Sequence, residues 1–207
     1  MEQFAAIHRL FGRLSAWAVW AGGFALLLSA FMVTIEVIGR KLGGTEVLPG
    51  FTLPQFRVPG SDEYSGYVFA GATTWAYAYC LLHRSHIRID ALYNLLPRGV
   101  RALFDIFALS MLFAYMAYFT SKAVPVFIES WERDSVSVTP QLTPLWIPQI
   151  VWVTGLIFFN LTLIFMIVYT VTSLFVRGSA SVQALAGTMS VSEEMEEETR
   201  GIQEIDR

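Results

Sequence analysis

Four long stretches of the chain carry no charged residue, and shorter polar segments separate them. The stretches are 22, 19, 16 and 42 residues long, and three prolines interrupt the first part of the longest. An α-helix needs about 20 apolar residues to cross the roughly 30 Å hydrocarbon core of a bilayer. The pattern therefore predicts an all-α membrane protein. Its membrane domain, residues 1–177, would hold four transmembrane helices near 14–36, 64–83, 100–122 and 148–176.

The segments between these runs carry signals for helix ends and loops. Residues 1–13 are predicted to be a short basic amphipathic lead-in, and 41–61 hold three prolines and four glycines, which predict a loop without regular helix. Ser61 is predicted to cap the second helix, with Asp62 and Glu63 at the positive end of its dipole. Pro97 can open the third helix, because its missing N–H costs nothing at the first helical position.

The first apolar run is too long for a secretory signal. The apolar region of a signal peptide spans about 7–15 residues, whereas this run has 22 residues. We expect it to remain in place as the first spanning helix.

Charge sets the expected orientation and the character of the C-terminal segment. Seven basic residues fall on the side of the two termini and five on the other, which favours a cytoplasmic location for both termini. The Pro/Gly-rich 41–61 loop would then face outward from an inner membrane. Residues 178–207 hold two basic and seven acidic residues, which predicts a flexible acidic cytoplasmic tail or a short acidic helix. No basic patch indicates nucleic-acid binding.

The segment "HRSHIRIDALYNLLP", residues 83–97, follows the second run and has three interpretations. His83, His86 and Asp90 would share one helical face and could form a metal site, but neighbouring arginines would repel a cation. Basic side chains at a membrane exit, or a specific turn or docking motif, explain the segment better. The single Cys80 provides neither an intrachain disulfide nor a thiolate metal site, and no metal or cofactor is expected.

The predicted spans lack charged residues in their middle, and such charges usually mark ion or substrate pathways. We therefore expect that this chain does not itself carry an ionic solute. The charged groups at the outer ends of the first two spans are candidate interface residues: Glu36, Arg40, Asp62 and Glu63. Asp105 and Arg101 are expected to be peripheral at the start of the third span.

Small residues recur every four positions in two of the predicted helices. Such stripes let helix backbones approach closely in lipid, either within the bundle or against another subunit. The stripe in the second helix is Gly66, Ala70, Thr74 and Ala78, and the stripe in the first helix is Ala21, Ala25 and Ser29. Tryptophans near the span ends suit interfacial belts: Trp17, Trp20, Trp131, Trp146 and Trp152.

Three motifs occur in a distinctive order. "EVIGRK" covers residues 36–41, "DEYSGYVFAGATTWAYAYCLLHRSHIRIDALYNLLP" covers 62–97, and "TPQLTPLWIP" covers 139–148. This order resembles the small membrane subunit of tripartite ATP-independent periplasmic (TRAP) transporters, the DctQ-like family, over about residues 10–177. Two features depart from the family pattern: the 41–61 loop is longer, and the acidic tail has no counterpart.

The resemblance implies a subunit of a secondary active transporter rather than an enzyme. In that family a periplasmic binding protein captures an organic acid, and a large permease carries it inward with an ion gradient, usually of sodium. The small subunit would be a fixed scaffold. His86, Arg88 and Asp90 would form a cytoplasmic turn motif. Residues 43–62 and 123–147, with Glu129, Glu132 and Asp134, would contribute to an outer docking face.

Two other functions compete with this interpretation. A haem or quinone anchor of a redox complex needs histidines paired at bilayer depth, whereas His8, His83 and His86 lie at or beyond the span ends. A stand-alone four-helix scaffold or channel would need no larger partner in the membrane.

Overall fold

Four long helices and one small hairpin make up the part of the fold that the computed structural model describes. The structure describes residues 2–43, 46–48, 51–52, 58–84 and 97–178, together with 182, 185 and 199. The helices are α1 (Glu2–Leu42), α2 (Ser61–Leu82), α3 (Arg98–Glu132) and α4 (Trp146–Arg177). Within the predicted 41–61 loop, β1 (Glu46–Leu48) pairs antiparallel with β2 (Phe51–Thr52).

Each predicted span corresponds to one helix, although the second, 64–83, ends one residue beyond α2, and two of the helices extend well beyond the prediction. The lead-in 1–13 is not a separate element, since α1 is continuous from Glu2 and no proline interrupts it. The third helix does not end near residue 122: α3 passes through Pro125 and ends at Glu132. Proline removes one backbone hydrogen bond, and the turns on both sides of it continue the helix.

Three of the four helices are long and apolar enough to cross a membrane: Phe4–Leu42, Gly99–Glu132 and Trp146–Val176. Among the described residues, α2 does not meet that standard, although it is 22 residues long. Its sequence mixes tyrosine, threonine, serine and glycine into the apolar run. The prediction of a fourth span therefore stays a prediction.

The chain divides into two compact units. The first unit consists of Met1–Tyr79 and Met116–Asn160, and the second of Cys80–Tyr115 and Leu161–Arg207. The core of the first unit is formed by Ala123, Val153 and Leu156, packed against partly buried neighbours that include Phe127 and Trp152.

The second unit buries both apolar and polar side chains. Leu163 and Met166 of α4 are fully buried, as are Thr170 and Val182. Asp105 is also buried, and its expected position at the edge of the third span stays a prediction. Its side chain lies on the inward face of α3. The uncharged run that begins at Ile106 gives no sign of this burial.

Close helix contacts in the first unit occur at glycines. A Cβ atom added at Gly22 would lie 3.1 Å from the Cβ of Ala72, and one at Gly71 would lie 3.0 Å from Val151. At Gly155 it would lie 2.5 Å from the hydroxyl of Thr74, which is too close for two such atoms. Glycine therefore allows α2 to approach α1 on one side and α4 on the other.

The two predicted small-residue stripes have unequal burial. In α2, Thr74 and Ala78 are buried and Ala70 is half-buried. Gly66 is exposed and has no atom within 4 Å of the place where a Cβ would sit. In α1, Ser29 is buried, Ala25 is half-buried and Ala21 is exposed. The role of these stripes as a seam for another subunit stays a prediction.

Candidate functional site

The first turn of α2 is capped by Gly60. The backbone N–H of Tyr64 donates to the carbonyl of Gly60 at 2.9 Å, and Gly60 has a φ of 82°. Ser61 lies one position inside the helix, and its buried hydroxyl has no hydrogen-bond partner. The prediction that Ser61 caps the helix is therefore wrong, because the chain enters α2 in a left-handed conformation that glycine adopts readily.

Glu63 joins this turn to a distant part of the chain. The hydroxyl of Tyr67, one turn along the same helix, donates to Glu63 Oε1 at 2.6 Å. The hydroxyl of Thr139 donates to Glu63 Oε2, and Thr139 Oγ1 lies 2.7 Å from Ser137 Oγ. We call these four residues the Glu63 cluster. One oxygen of the carboxylate thus binds the loop between α3 and α4, and the other binds Tyr67 of α2 itself.

The loop that reaches Glu63 has its own backbone order. Ser137 N–H donates to the carbonyl of Thr143 at 2.9 Å, and Leu145 N–H donates to that of Ser135 at 2.9 Å. An antiparallel bridge joins Val136 to Pro144 between these two bonds. The loop 133–145 is therefore a closed turn that presents Thr139 toward Glu63.

The charge state of Glu63 follows from its hydrogen bonds. The hydroxyls of Thr139 and then Tyr67 lower the pKa of the Glu63 carboxyl to about 2, against a smaller opposing effect of burial. A carboxyl whose pKa falls on folding stabilises the fold at every pH above its ordinary value. For Glu63 that stabilisation is complete above about 4.5 and is lost as the pH falls toward about 2. The Glu63 carboxyl is therefore ionised at physiological pH.

A cavity of about 450 Å³ adjoins the cluster and lies between α1, α2 and the start of α4. Tyr64, Tyr67 and Thr143 are among its lining residues, and small residues such as Gly22 and Ala72 line much of the rest. Trp75 closes one side, and its indole N–H donates to the carbonyl of Val151 at 3.0 Å. The Glu63 cluster therefore lies above an apolar space rather than beside a polar channel.

The solvent side of the 133–145 loop exposes aliphatic groups beside acidic ones. Val138 is fully exposed, and Val136 and Leu142 are also exposed. Glu132 and Asp134 lie on the surface close by, and Glu129 forms an exposed ion pair with Arg133 at 3.1 Å. This surface combines apolar contact area with a net negative charge.

The other predicted site residues lie elsewhere. His86, Arg88 and Asp90 lie outside the described residues. The turn motif therefore stays a prediction, and the structure does not test the metal interpretation of that segment. Arg40 is exposed and Glu36 half-buried near the end of α1. Asp62 is exposed, and Glu63 is the member of that pair that the fold engages.

The sequence did not identify the partners of Glu63. Tyr67 lies four residues from Glu63, which is a spacing that brings side chains together on a helix, so this contact could have been found. Thr139 lies 76 residues away, and no periodic pattern connects it to Glu63. Its position in the motif "TPQLTPLWIP" was the one available signal.

The family of the chain follows from comparison with protein-family models. The model of the DctQ component of tripartite ATP-independent periplasmic transporters matches residues 29–177. The chain belongs to the DctQ family. This match runs from the second half of α1 to the end of α4 and includes the whole Glu63 cluster. No curated protein and no solved structure matches the chain.

Membership in the DctQ family confirms the resemblance found from the three motifs. This DctQ protein is thus an integral membrane protein and the small subunit of a TRAP transporter. The family consists of transporter components, which sets aside the redox anchor and the stand-alone scaffold.

Proposed function

We propose that this chain is the scaffold subunit of a transporter that takes up an organic acid with a gradient of sodium ions. A large permease would carry the substrate, and a periplasmic binding protein would deliver it. The observation that carries this proposal is the DctQ match over helices whose central turns hold no charged residue. A subunit without charged groups at bilayer depth can brace a carrier but offers an anion no site of its own.

The proposal includes the inner membrane of a bacterium or archaeon and a cytoplasmic position for both termini. The mild excess of basic residues on the side of the termini supports this orientation. The Glu63 cluster and the 133–145 loop would then lie on the outer face. α2 would also cross the membrane, which brings the number of spans to four. Its contacts with α1 and α4 at Gly22, Gly71 and Gly155 would protect it from lipid in part.

Reconstitution into proteoliposomes tests which subunits are needed for uptake. We expect ion-driven uptake when this chain, the large permease of its complex and the binding protein are present together. We expect no uptake from this chain alone. Accumulation of an organic anion in liposomes that contain only this chain would contradict the proposal, and so would full uptake by the permease and the binding protein without it.

The outer face of this chain also takes part in docking the binding protein, in our proposal. The support is the exposed surface of the 133–145 loop, where Val138 and Leu142 lie beside Glu132 and Asp134. A partner with a basic, partly apolar patch would complement it, since opposite charges across an interface guide association.

Reversing two of these charges tests the docking surface. In the double variant Glu132→Lys/Asp134→Lys we expect the half-saturating concentration of binding protein to rise about three- to tenfold at low salt, because rim charges mainly set the association rate. The matched control is Glu194→Lys/Glu197→Lys in the acidic tail, which should leave it unchanged. Equal uptake by both double variants and the wild type would show that the charges of this loop do not contribute to docking.

A further inference from the structure

The cavity between α1, α2 and the start of α4 has the depth of one membrane leaflet. Along α2 its lining runs from Tyr64 to Trp75, eleven residues that rise about 16 Å. Half of the hydrocarbon core of a bilayer is about 15 Å thick. The 22 residues of α2 rise about 33 Å, so its first turn would lie near one membrane surface. The cavity therefore extends from that surface to about the middle of the membrane.

A stack of aromatic rings lies at the inner end of the cavity. Trp75 of α2 stacks on Phe158 of α4 with ring centroids 5.4 Å apart, and Phe158 stacks on Phe11 of α1 at 5.6 Å. The hydrogen bond from the Trp75 indole to the carbonyl of Val151 holds the first ring in place. Each helix that lines the cavity thus contributes a ring at the end where the cavity stops.

The cavity cannot close by a further approach of its helices. α1 already touches α2 where Gly22 meets Ala72, and α2 touches α4 where Gly71 meets Val151. An apolar space that stays empty loses the dispersion contacts of its whole lining. An apolar group that enters it from the membrane restores those contacts, so the filled cavity is the more stable state.

The dimensions of the space exclude a transmembrane helix of another subunit. A volume of about 450 Å³ spread over roughly 16 Å gives a mean cross-section of roughly 30 Å². An α-helix that is about 10 Å wide with its side chains occupies roughly 80 Å². A spanning helix would also need a groove across the whole membrane, whereas this cavity stops near the middle. A hydrocarbon chain of one leaflet fits both dimensions.

The mouth of the cavity carries hydroxyl groups and negative charge. Tyr64, Tyr67 and Thr143 line the cavity at this end, and the ionised Glu63 accepts the hydroxyl of Tyr67. Asp62 adds a second, exposed carboxylate. Residues 58–71 and 137–151 hold no basic side chain. The mouth therefore favours a headgroup with an ammonium group, which is attracted by carboxylates and by tyrosine rings, over a headgroup with a net negative charge.

We propose that this cavity binds one aminophospholipid, with an acyl chain between Tyr64 and Trp75 and the ammonium group of the head beside Glu63. The lipid would join α1, α2 and α4 in the half of the membrane where their own side chains are too small to meet. This inference rests on the proposed function, since it takes α2 as a membrane span, and it adds a ligand to the scaffold.

Photolabelling with lipid probes tests this site. The complex of the full chain with its large permease is reconstituted into vesicles of equal parts phosphatidylethanolamine and phosphatidylglycerol. A small fraction of one or the other lipid carries a photoactivatable diazirine near the end of an acyl chain, and mass spectrometry maps the labelled residues. With the ethanolamine probe we expect labelling around Trp75 about tenfold stronger than at Met111 and Tyr115, which are exposed in the middle of α3. With the glycerol probe we expect about threefold weaker labelling around Trp75, because Asp62 and Glu63 repel an anionic head.

A variant that fills the cavity separates the site from general contact with lipid. Ala25 lines the cavity and is half-buried, so Ala25→Phe would occupy the path of the acyl chain. The matched control is Ala30→Phe, the same substitution on the same helix at an exposed alanine outside the lining. We expect labelling around Trp75 to fall about tenfold in the first variant and to stay unchanged in the second.

The outcomes distinguish the lipid site from the function it rests on. Labelling around Trp75 that is no stronger than at Met111 and Tyr115 would overturn the site, and so would equal labelling of the Ala25 and Ala30 variants. Equal labelling by the two probes would overturn the assignment of the headgroup. Each of these results leaves the proposed function standing when the wild-type chain co-purifies with the large permease. Failure to co-purify would instead contradict the proposed function.

Discussion

Replacing Gly155 by alanine will loosen the packing of α4 on α2. The added Cβ would lie 2.5 Å from the hydroxyl oxygen of Thr74 and 2.8 Å from the ring of Trp75. Neither group is the free end of a flexible side chain, so the helices must move apart. Overpacking of this kind costs about 1–3 kcal/mol, and the loss includes strain on the bond from Trp75 to Val151. Thermal unfolding in detergent, followed by tryptophan fluorescence, measures the effect as a drop of several degrees in Tm.

Gly66→Ala is the matched control for this experiment. Gly66 also lies in a helix, yet no atom lies within 4 Å of the place where its Cβ would sit. Both substitutions gain the same helix propensity of alanine over glycine, about 0.5–1 kcal/mol. Their difference therefore isolates the packing effect. An equal Tm for the two variants would mean that α2 and α4 do not approach closely at Gly155.

Removing the carboxylate of Glu63 will free the loop between α3 and α4 from the start of α2. In Glu63→Ala, the hydroxyls of Tyr67 and Thr139 lose their common acceptor, and hydrogen bonds to a charged group are stronger than neutral ones. We expect the amides of residues 135–145 to exchange hydrogen about tenfold faster than in the wild type. Hydrogen exchange with mass spectrometry measures this change.

Asp62→Ala is the control, because it removes the same charge from the same helix end. Asp62 is exposed, so its loss should leave exchange in the 133–145 loop unchanged. The wild-type loop should also keep its protection from neutral pH down to about pH 4.5, and lose it as the pH falls toward about 2. Similar exchange in the Glu63 and Asp62 variants would show that the loop is held by its own backbone bonds.

The membrane helices could be found from the sequence because an uncharged run is a strong and local signal. Each predicted span corresponds to one helix to within a residue, including α2, which falls short of the apolar standard for a membrane span. Helix ends were harder to predict. Pro125 and the basic groups near Arg13 indicated boundaries, yet both lie inside helices.

The Glu63 cluster could not be predicted in full because its members meet through the tertiary fold. The sequence alone does not show which of the adjacent acidic residues Asp62 and Glu63 forms long-range contacts. In the fold it is Glu63 that accepts the hydrogen bond from Thr139. Likewise, Gly60 rather than Ser61 occupies the capping position, because the chain enters α2 at a positive φ. The presence of a serine at position 61 does not indicate that backbone conformation. Contacts of this kind depend on distances across the bundle rather than on a repeat along the chain.

The tight contact between Thr74 and Gly155 has a consequence for biosynthesis. α2 falls short of the apolar standard that the other three described helices meet, and α4, which contacts Thr74 and Trp75 of α2, is synthesised after it. Until α4 arrives, the insertion machinery or the bilayer must accommodate a nascent segment whose threonine and indole groups lack their final neighbours. We therefore expect α2 to reach its final packing only after α4 has been completed.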